Sequence, residues 1–223
     1  MKKTRGALIG AVAFFALASG SVPAFAGTDP ETDPEWVSDG VVQTEPPAEP
    51  EEPVTDVANP DTEPQPSADD KPTDFSRVAA GYECRSGGVY LPKTKGGKYH
   101  RGVGATQSNY NGTSRTARST FTADVSGEVG VSVSHGLQVS VNAMIGQIEG
   151  KFDVNLSAKL TAKIGNSISV DTPPHKRTNA KYGVYRLKNT GVSYVSYSNC
   201  ATSTKRTVTS YTPYRVGWYL WES

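Results

Sequence analysis

The 223-residue sequence has few residues of the kinds that carry catalysis or hold metals. It contains two cysteines and three histidines, and His100, His135 and His175 have no acid or nucleophile at a recognisable motif spacing. Nucleophile-elbow, zinc-protease and phosphate-loop motifs are absent. We therefore predict a protein that is not an enzyme and that uses no cofactor and no metal.

Acidic residues are also scarce in the C-terminal part of the chain. Residues 76–223 hold seven acids and nineteen bases, whereas residues 27–75 hold fifteen acids, one base and ten of the fifteen prolines. Such an acidic, Pro-rich stretch has too little apolar surface to offset the entropy of ordering. We predict a disordered segment over 27–75 and one folded domain over 76–223. The acidic segment is either a solvated tail or a cover for the basic surface.

The N-terminus has the three parts of a secretory signal peptide. Lys2, Lys3 and Arg5 precede an apolar stretch over 6–18, and Ala24-Phe25-Ala26 is a small-x-small cleavage site. We predict that residues 1–26 are a Sec-type signal peptide and that the protein is secreted. In an exported chain, the cysteine pair Cys84 and Cys200 indicates a disulfide bond.

Apolar and polar residues alternate over about 119–171, first with apolar residues at odd positions and then at even positions. Alternation with a period of two is typical of strands with one apolar face. We predict a mainly β fold, an antiparallel sheet or sandwich with one long amphipathic hairpin. The predicted apolar face, which meets either the core or a membrane, comprises Val125, Val129, Val131, Val133, Leu137, Val139, Val141, Phe152, Val154, Leu156, Leu160, Ile164 and Ile168.

The change of phase predicts where the hairpin turns. Gly146 and Gln147 fit a two-residue turn, which would place Val129 opposite Ile164. An alternative is a helix within 140–161, because several apolar residues there also recur at helical spacing. Gly146 and Gly150 count against that helix, since each costs roughly 1 kcal/mol relative to Ala.

Two resemblances bear on function. The Ser- and Thr-rich alternating segment resembles the insertion hairpin of aerolysin-like β-pore-forming proteins, a likeness of pattern without a sequence motif. The signal peptide, the acidic spacer, Tyr182-Gly183-Val184-Tyr185-Arg186 and Tyr197-Ser198-Asn199-Cys200 resemble small uncharacterised secreted proteins of Gram-positive actinobacteria. The second group has no assigned activity to transfer.

The predicted function is that of a secreted binding or structural module with a basic, Tyr-rich surface. Its partner would be an anionic cell-envelope polymer, a glycan or a protein, and the candidate contact residues near the C-terminus are Tyr211, Tyr214, Trp218 and Trp221. The alternative is a membrane-inserting hairpin that acts on a lipid bilayer as a homo-oligomer. Export and the lack of a recognised motif argue against nucleic acid as the partner.

Overall fold

The computed structural model describes residues 42–48, 53–62 and 84–223. These residues form a mainly β fold, as predicted. In chain order the elements are β1 (Val42–Gln43), β2 (Thr55–Asp56), β3 (Gly87–Gly102), β4 (Gln107–Tyr110), β5 (Ala117–Thr122), β6 (Gly127–Gly130), β7 (Ser132–Val133), α1 (Val141–Phe152), β8 (Lys159–Ala162), β9 (Ser167–Thr172), β10 (Arg177–Ser196) and β11 (Arg206–Glu222).

Three long strands, β3, β10 and β11, form most of the main sheet. Its order is β2-β7-β11-β10-β3, with β4 added to β10 and β1 added to β11. All of these pairs are antiparallel except that of β1 with β11. β10 and β11 are rich in Val, Tyr and Thr, whose branched or aromatic side chains suit a pleated surface.

The two arms of the alternating segment pair with each other, but not in the predicted register. β5 pairs with β9 and β6 with β8, with Phe121 opposite Ile168 and Val129 opposite Leu160. The backbone bonds of Ala123 to Asn166 and of Val131 to Ala158 keep the same register outside these ladders. The observed partner of Val129 is therefore Leu160, four residues before the predicted partner Ile164. Because the shift is even, every side chain keeps its predicted face.

The hairpin turn predicted at Gly146 and Gln147 is wrong, because both residues lie inside α1. The helical alternative is confirmed for 141–152, whereas 159–162 is strand. Ser140 caps the helix by accepting a hydrogen bond from the Ala143 N–H at 3.3 Å. Burial of Met144 and Ile148, both 0% exposed, outweighs the low helix propensity of the glycines, which lie on the exposed side.

Disorder was predicted for all of 27–75, and this is wrong for two stretches. β1 lies beside Leu220 and Trp221 of β11, and Tyr219 donates a hydrogen bond to the Glu45 carbonyl at 3.3 Å. β2 adds to β7. Both short strands take unused edges of the sheet, which offer backbone hydrogen bonds that composition does not reveal. Within 27–75 the structure describes 42–48 and 53–62; the other residues of this segment and the predicted signal peptide lie outside the described residues.

Two clusters of buried side chains cover opposite faces of β10. Side chains alternate along a strand, so Tyr182 and Val184 share one face and Leu187 lies on the other. The paired arms cover the first face and α1 covers the second. The first cluster comprises Phe121, Ala123, Val129, Ala162, Ala180, Tyr182, Val184, Trp218 and Leu220; the second comprises Tyr90, Val131, Leu137, Val139, Val141, Met144, Ile145, Ile148, Leu156, Leu187 and Val208.

The predicted disulfide is confirmed. Cys84 and Cys200 are bonded, with their Cα atoms 5.1 Å apart and a sequence separation of 116. The bond joins the chain before β3 to the connection between β10 and β11. This bond is consistent with an extracellular environment.

Candidate anion-binding site

A basic cavity of about 590 Å³ lies beside β2, β7, the C-terminal end of β3 and the first half of β10. Its described lining holds three cationic side chains, Arg101, Lys181 and Arg186, and a single carboxylate, that of Asp56. The remaining described lining residues are Val54, Thr55, His100, Gly102 and Ser132. A cavity with this surplus of positive charge attracts anionic groups.

The Asp56 carboxylate is bound in this cavity by two donors. Arg101 Nη1 donates to Oδ1 at 2.7 Å, and Ser132 Oγ donates to the same oxygen at 2.6 Å. The hydrogen bond from Arg101 lowers the pKa of Asp56. Burial opposes this shift, whereas the bond from Ser132 and the charges of Arg101 and Arg186 add to it. The cavity therefore favours the ionised form of a carboxylate.

Arg186 is a buried cation that bonds to one of these donors, Ser132. Its side chain is only 3% exposed, and Nη1 donates to Ser132 Oγ at 2.7 Å. Its guanidinium also lies over the ring of Tyr211, 5.5 Å from the ring centroid. A buried cation is costly unless it is well bonded, so Arg186 needs the Ser132 oxygen as an acceptor. Since that oxygen accepts from Arg186, the hydroxyl hydrogen of Ser132 points to Asp56 and donates to it.

His100 forms an uncharged wall of the cavity. It is 7% exposed, and its Nε2 lies 3.2 Å from the carbonyl oxygen of Gly217. Burial lowers the pKa of His100 to about 4, the hydrogen bond with Gly217 opposes this shift, and the charges of Lys181 and Arg186 add to it. The imidazole is therefore neutral at pH 7, and the positive charge of the site comes from Arg and Lys.

The aromatic residues predicted as a surface contact are mostly in the interior. Tyr211 is 0% exposed and Trp218 is 4% exposed, so the prediction is wrong for these two; Tyr214 and Trp221 are half-buried. The Trp218 indole donates to Asn166 Oδ1 at 2.8 Å, which ties β11 to the paired arms. β11 is covered because α1 and the paired arms pack against the sheet, which its own sequence does not show.

The predicted apolar face lies largely against the main sheet. Val129, Val131, Leu137, Val139, Val141 and Leu156 are buried, and Val133, Phe152, Val154, Leu160 and Ile168 are half-buried. Two members are exposed, Val125 at 41% and Ile164 at 62%. Val125 lies between β5 and β6 and Ile164 lies between β8 and β9, so both fall at the break between the two ladders.

Sequence reasoning missed the residues that build the cavity. Arg101, Ser132 and Arg186 come from three strands, and no spacing in the chain relates them to one another or to Asp56. The signal that pointed toward them was the opposite charge of the acidic segment and the domain. The hypothesis that the acidic segment covers a basic surface agrees with the contact between Asp56 and Arg101.

Comparison of this sequence with known protein families and with curated proteins finds no match in either. Across 42–48, 53–62 and 84–223, no three His, Cys, Asp or Glu side chains are grouped so that they could hold a metal ion. In that same part of the chain, no helix has the length and apolar character needed to cross a membrane.

Proposed function

We propose that this protein is a secreted binding module that holds an anionic group of a cell-envelope polymer or a protein in the basic cavity. The observation that carries the proposal is the Asp56 carboxylate, which accepts hydrogen bonds from Arg101 and Ser132 there. This carboxylate serves as an internal example of the ligand group. The function is one of recognition and requires no chemical step.

The geometry supports recognition of a carboxylate for two reasons. Charge-assisted hydrogen bonds are stronger than neutral ones, and the guanidinium of Arg101 supplies one directly. The Ser132 hydroxyl is oriented in advance by the buried Arg186, so less ordering is needed when an anion binds. The net positive charge of 76–223 would raise the rate of encounter with an anionic polymer.

Binding of fluorescent poly-L-glutamate to the full chain, followed by anisotropy, tests this function. The variant Asp56→Asn removes the internal carboxylate and should bind, with affinity that falls as salt is added. Adding Arg101→Gln should weaken binding about 5-fold or more, because a charge-assisted bond is lost. Adding Arg118→Gln instead removes an exposed arginine of β5 outside the cavity lining and should leave affinity unchanged. Equal effects of the two arginine changes would contradict the proposal.

Membrane insertion of the segment 117–172 is a second candidate function. The observation that favours it is that the β5–β9 ladder, the β6–β8 ladder and the bond between Val131 and Ala158 share one register, although the pairing is interrupted between the two ladders. One side of these arms is apolar, and the other carries exposed polar residues such as Thr120, Glu128 and Ser169. Each arm is longer than the roughly 9–11 residues with which a strand crosses a bilayer.

Dye leakage from liposomes, with and without anionic lipid, tests this second function. Insertion requires the segment to leave the main sheet, where β7 pairs with β11 and Val133 lies opposite Ser210. An engineered disulfide between Val133→Cys and Ser210→Cys should abolish leakage until it is reduced. A matched disulfide between Glu128→Cys and Thr161→Cys joins the arms only to each other and should not block leakage.

The native chain treated with the same reductant is the control for loss of the Cys84–Cys200 bond. Absence of leakage from the native protein under all lipid conditions would exclude this second function. Leakage that persists with the first disulfide intact would show that the segment does not need to leave β11.

A further inference from the structure

The strand β2 lies on the main sheet as a bound peptide would. Thr55 lies opposite Val133 and Asp56 opposite Ser132, and the Val57 N–H donates to the Val131 carbonyl at 2.9 Å. This pairing is antiparallel and uses the outer edge of β7, the last strand before β2 in the sheet order. The backbone of 55–57 therefore supplies hydrogen bonds, while one of its side chains enters the basic cavity.

The contacts of this segment divide into three kinds. The backbone pairs with β7, the Asp56 carboxylate binds Arg101 and Ser132, and the half-buried Val57 packs against the core cluster that contains Val131 and Leu137. Thr55 and Asp56 themselves are exposed. An extended peptide with an acidic residue followed by a β-branched apolar residue fulfils all three kinds of contact.

We infer that the edge of β7 and the basic cavity form one site for an extended acidic peptide, and that residues 54–57 are its built-in competitor. This inference rests on the proposed function and specifies it: the anionic partner is a protein segment that adds to the sheet as a strand. Val54 and Thr55 precede the carboxylate, and Val57 follows it, so the internal occupant also gives the sequence order of the ligand.

The competitor belongs to the same chain, and this determines how strongly it opposes an external peptide. A tethered segment acts at an effective concentration of about millimolar, so an external peptide must exceed that level or bind better. Weakening the internal segment should then raise the apparent affinity for the external one without any change in the site itself. The internal segment can be weakened at two positions, because Asp56 supplies its charge and Val57 supplies its backbone donor.

A fluorescent peptide with the sequence of residues 53–60, Pro-Val-Thr-Asp-Val-Ala-Asn-Pro, is the probe for this site. Its affinity is measured for the full native chain and for the full chain carrying Asp56→Asn and Val57→Pro. Proline removes the N–H that bonds to Val131, and asparagine removes the charge. The affinity of the double variant for the peptide should be at least about 10-fold higher than that of the native chain. Asp56→Asn alone should give an intermediate increase and serves if the proline variant does not fold.

Two further changes test the contact between the peptide aspartate and Arg101, and a third serves as their control. Replacing the aspartate of the peptide with asparagine should weaken its binding about 5-fold or more, and so should Arg101→Gln when it is added to the double variant, in which the internal segment no longer competes for Arg101. Arg118→Gln, made in the same background, should leave the affinity for the peptide unchanged. Equal peptide affinity for the native and variant chains, or an affinity insensitive to the peptide aspartate, would overturn the inference.

Poly-L-glutamate binding by the same variants separates the two proposals. If that polymer binds through Arg101 but the peptide does not bind, the cavity is an anion site and the strand-addition inference is wrong. If neither ligand binds, the proposed function itself is wrong.

Discussion

Arg186 donates a hydrogen bond to Ser132 across 2.7 Å, and this contact links β10 to β7, 54 residues apart in sequence. The Ser132 hydroxyl in turn donates a hydrogen bond to the Asp56 carboxylate. A single buried serine thereby connects the interior cation, the edge of the sheet and the acidic segment.

Ser132→Ala should destabilise the protein by about 1–3 kcal/mol, because the buried Arg186 loses an acceptor and Asp56 loses a donor. Urea unfolding followed by tryptophan fluorescence measures the change. Ser169→Ala is the matched control, since Ser169 is exposed and bonds only to Thr120 among the contacts described. It should change the free energy of unfolding by less than about 0.5 kcal/mol. Similar losses in the two variants would refute a special role for Ser132.

Stability should fall as the pH is lowered from about 6.5 to about 4. His100 has a folded-state pKa of about 4 against an ordinary value of 6.5, so the unfolded chain binds the extra proton within this window. The full loss across the window is roughly 3 kcal/mol for this group. Urea midpoints measured at intervals between pH 7 and pH 4 reveal the slope. His100→Gln should flatten it, whereas His135→Gln, at an exposed histidine, should leave it in place.

Gly146→Ala should stabilise the protein by roughly 0.5–1 kcal/mol. Gly146 lies on the exposed side of α1, and a Cβ there meets no atom within 4 Å, so alanine gains helix propensity without a clash. Thermal unfolding measures the shift. Gly165→Ala is the contrasting variant and should be destabilising, because Gly165 has φ of +85°, a conformation that suits glycine. A destabilising Gly146→Ala would instead support the turn that the alternation predicted.

Removing the disulfide should cost about 2–5 kcal/mol of stability. The bond closes a loop across 116 residues, which restricts the unfolded chain strongly. Calorimetry of the variant with Cys84→Ser and Cys200→Ser, compared with the native chain with and without reductant, measures the loss. A variant that unfolds at the same temperature as the oxidised native protein would contradict this expectation.

Local patterns predicted the parts of the fold that depend on alternation. The period of two placed Val129, Leu160 and Ile168 on the side that faces the core, and it predicted the antiparallel pairing of the arms. It failed over 141–152, where Val141, Ile145 and Ile148 satisfy both a strand and a helix pattern. Burial against Tyr90 and Leu187, residues remote in sequence, decided in favour of the helix.

The sequence by itself determined the β-rich class, the faces of the paired arms and the cysteine pair, because these follow from periodicity and from the small number of cysteines. The register, the helix and the cavity proposed to bind anions were decided only by the tertiary structure. Register depends on how the closed end of the segment is built, and here that end is α1. The site exists because β2 meets an edge beside Arg101 and Arg186, a contact between strands that are distant in sequence.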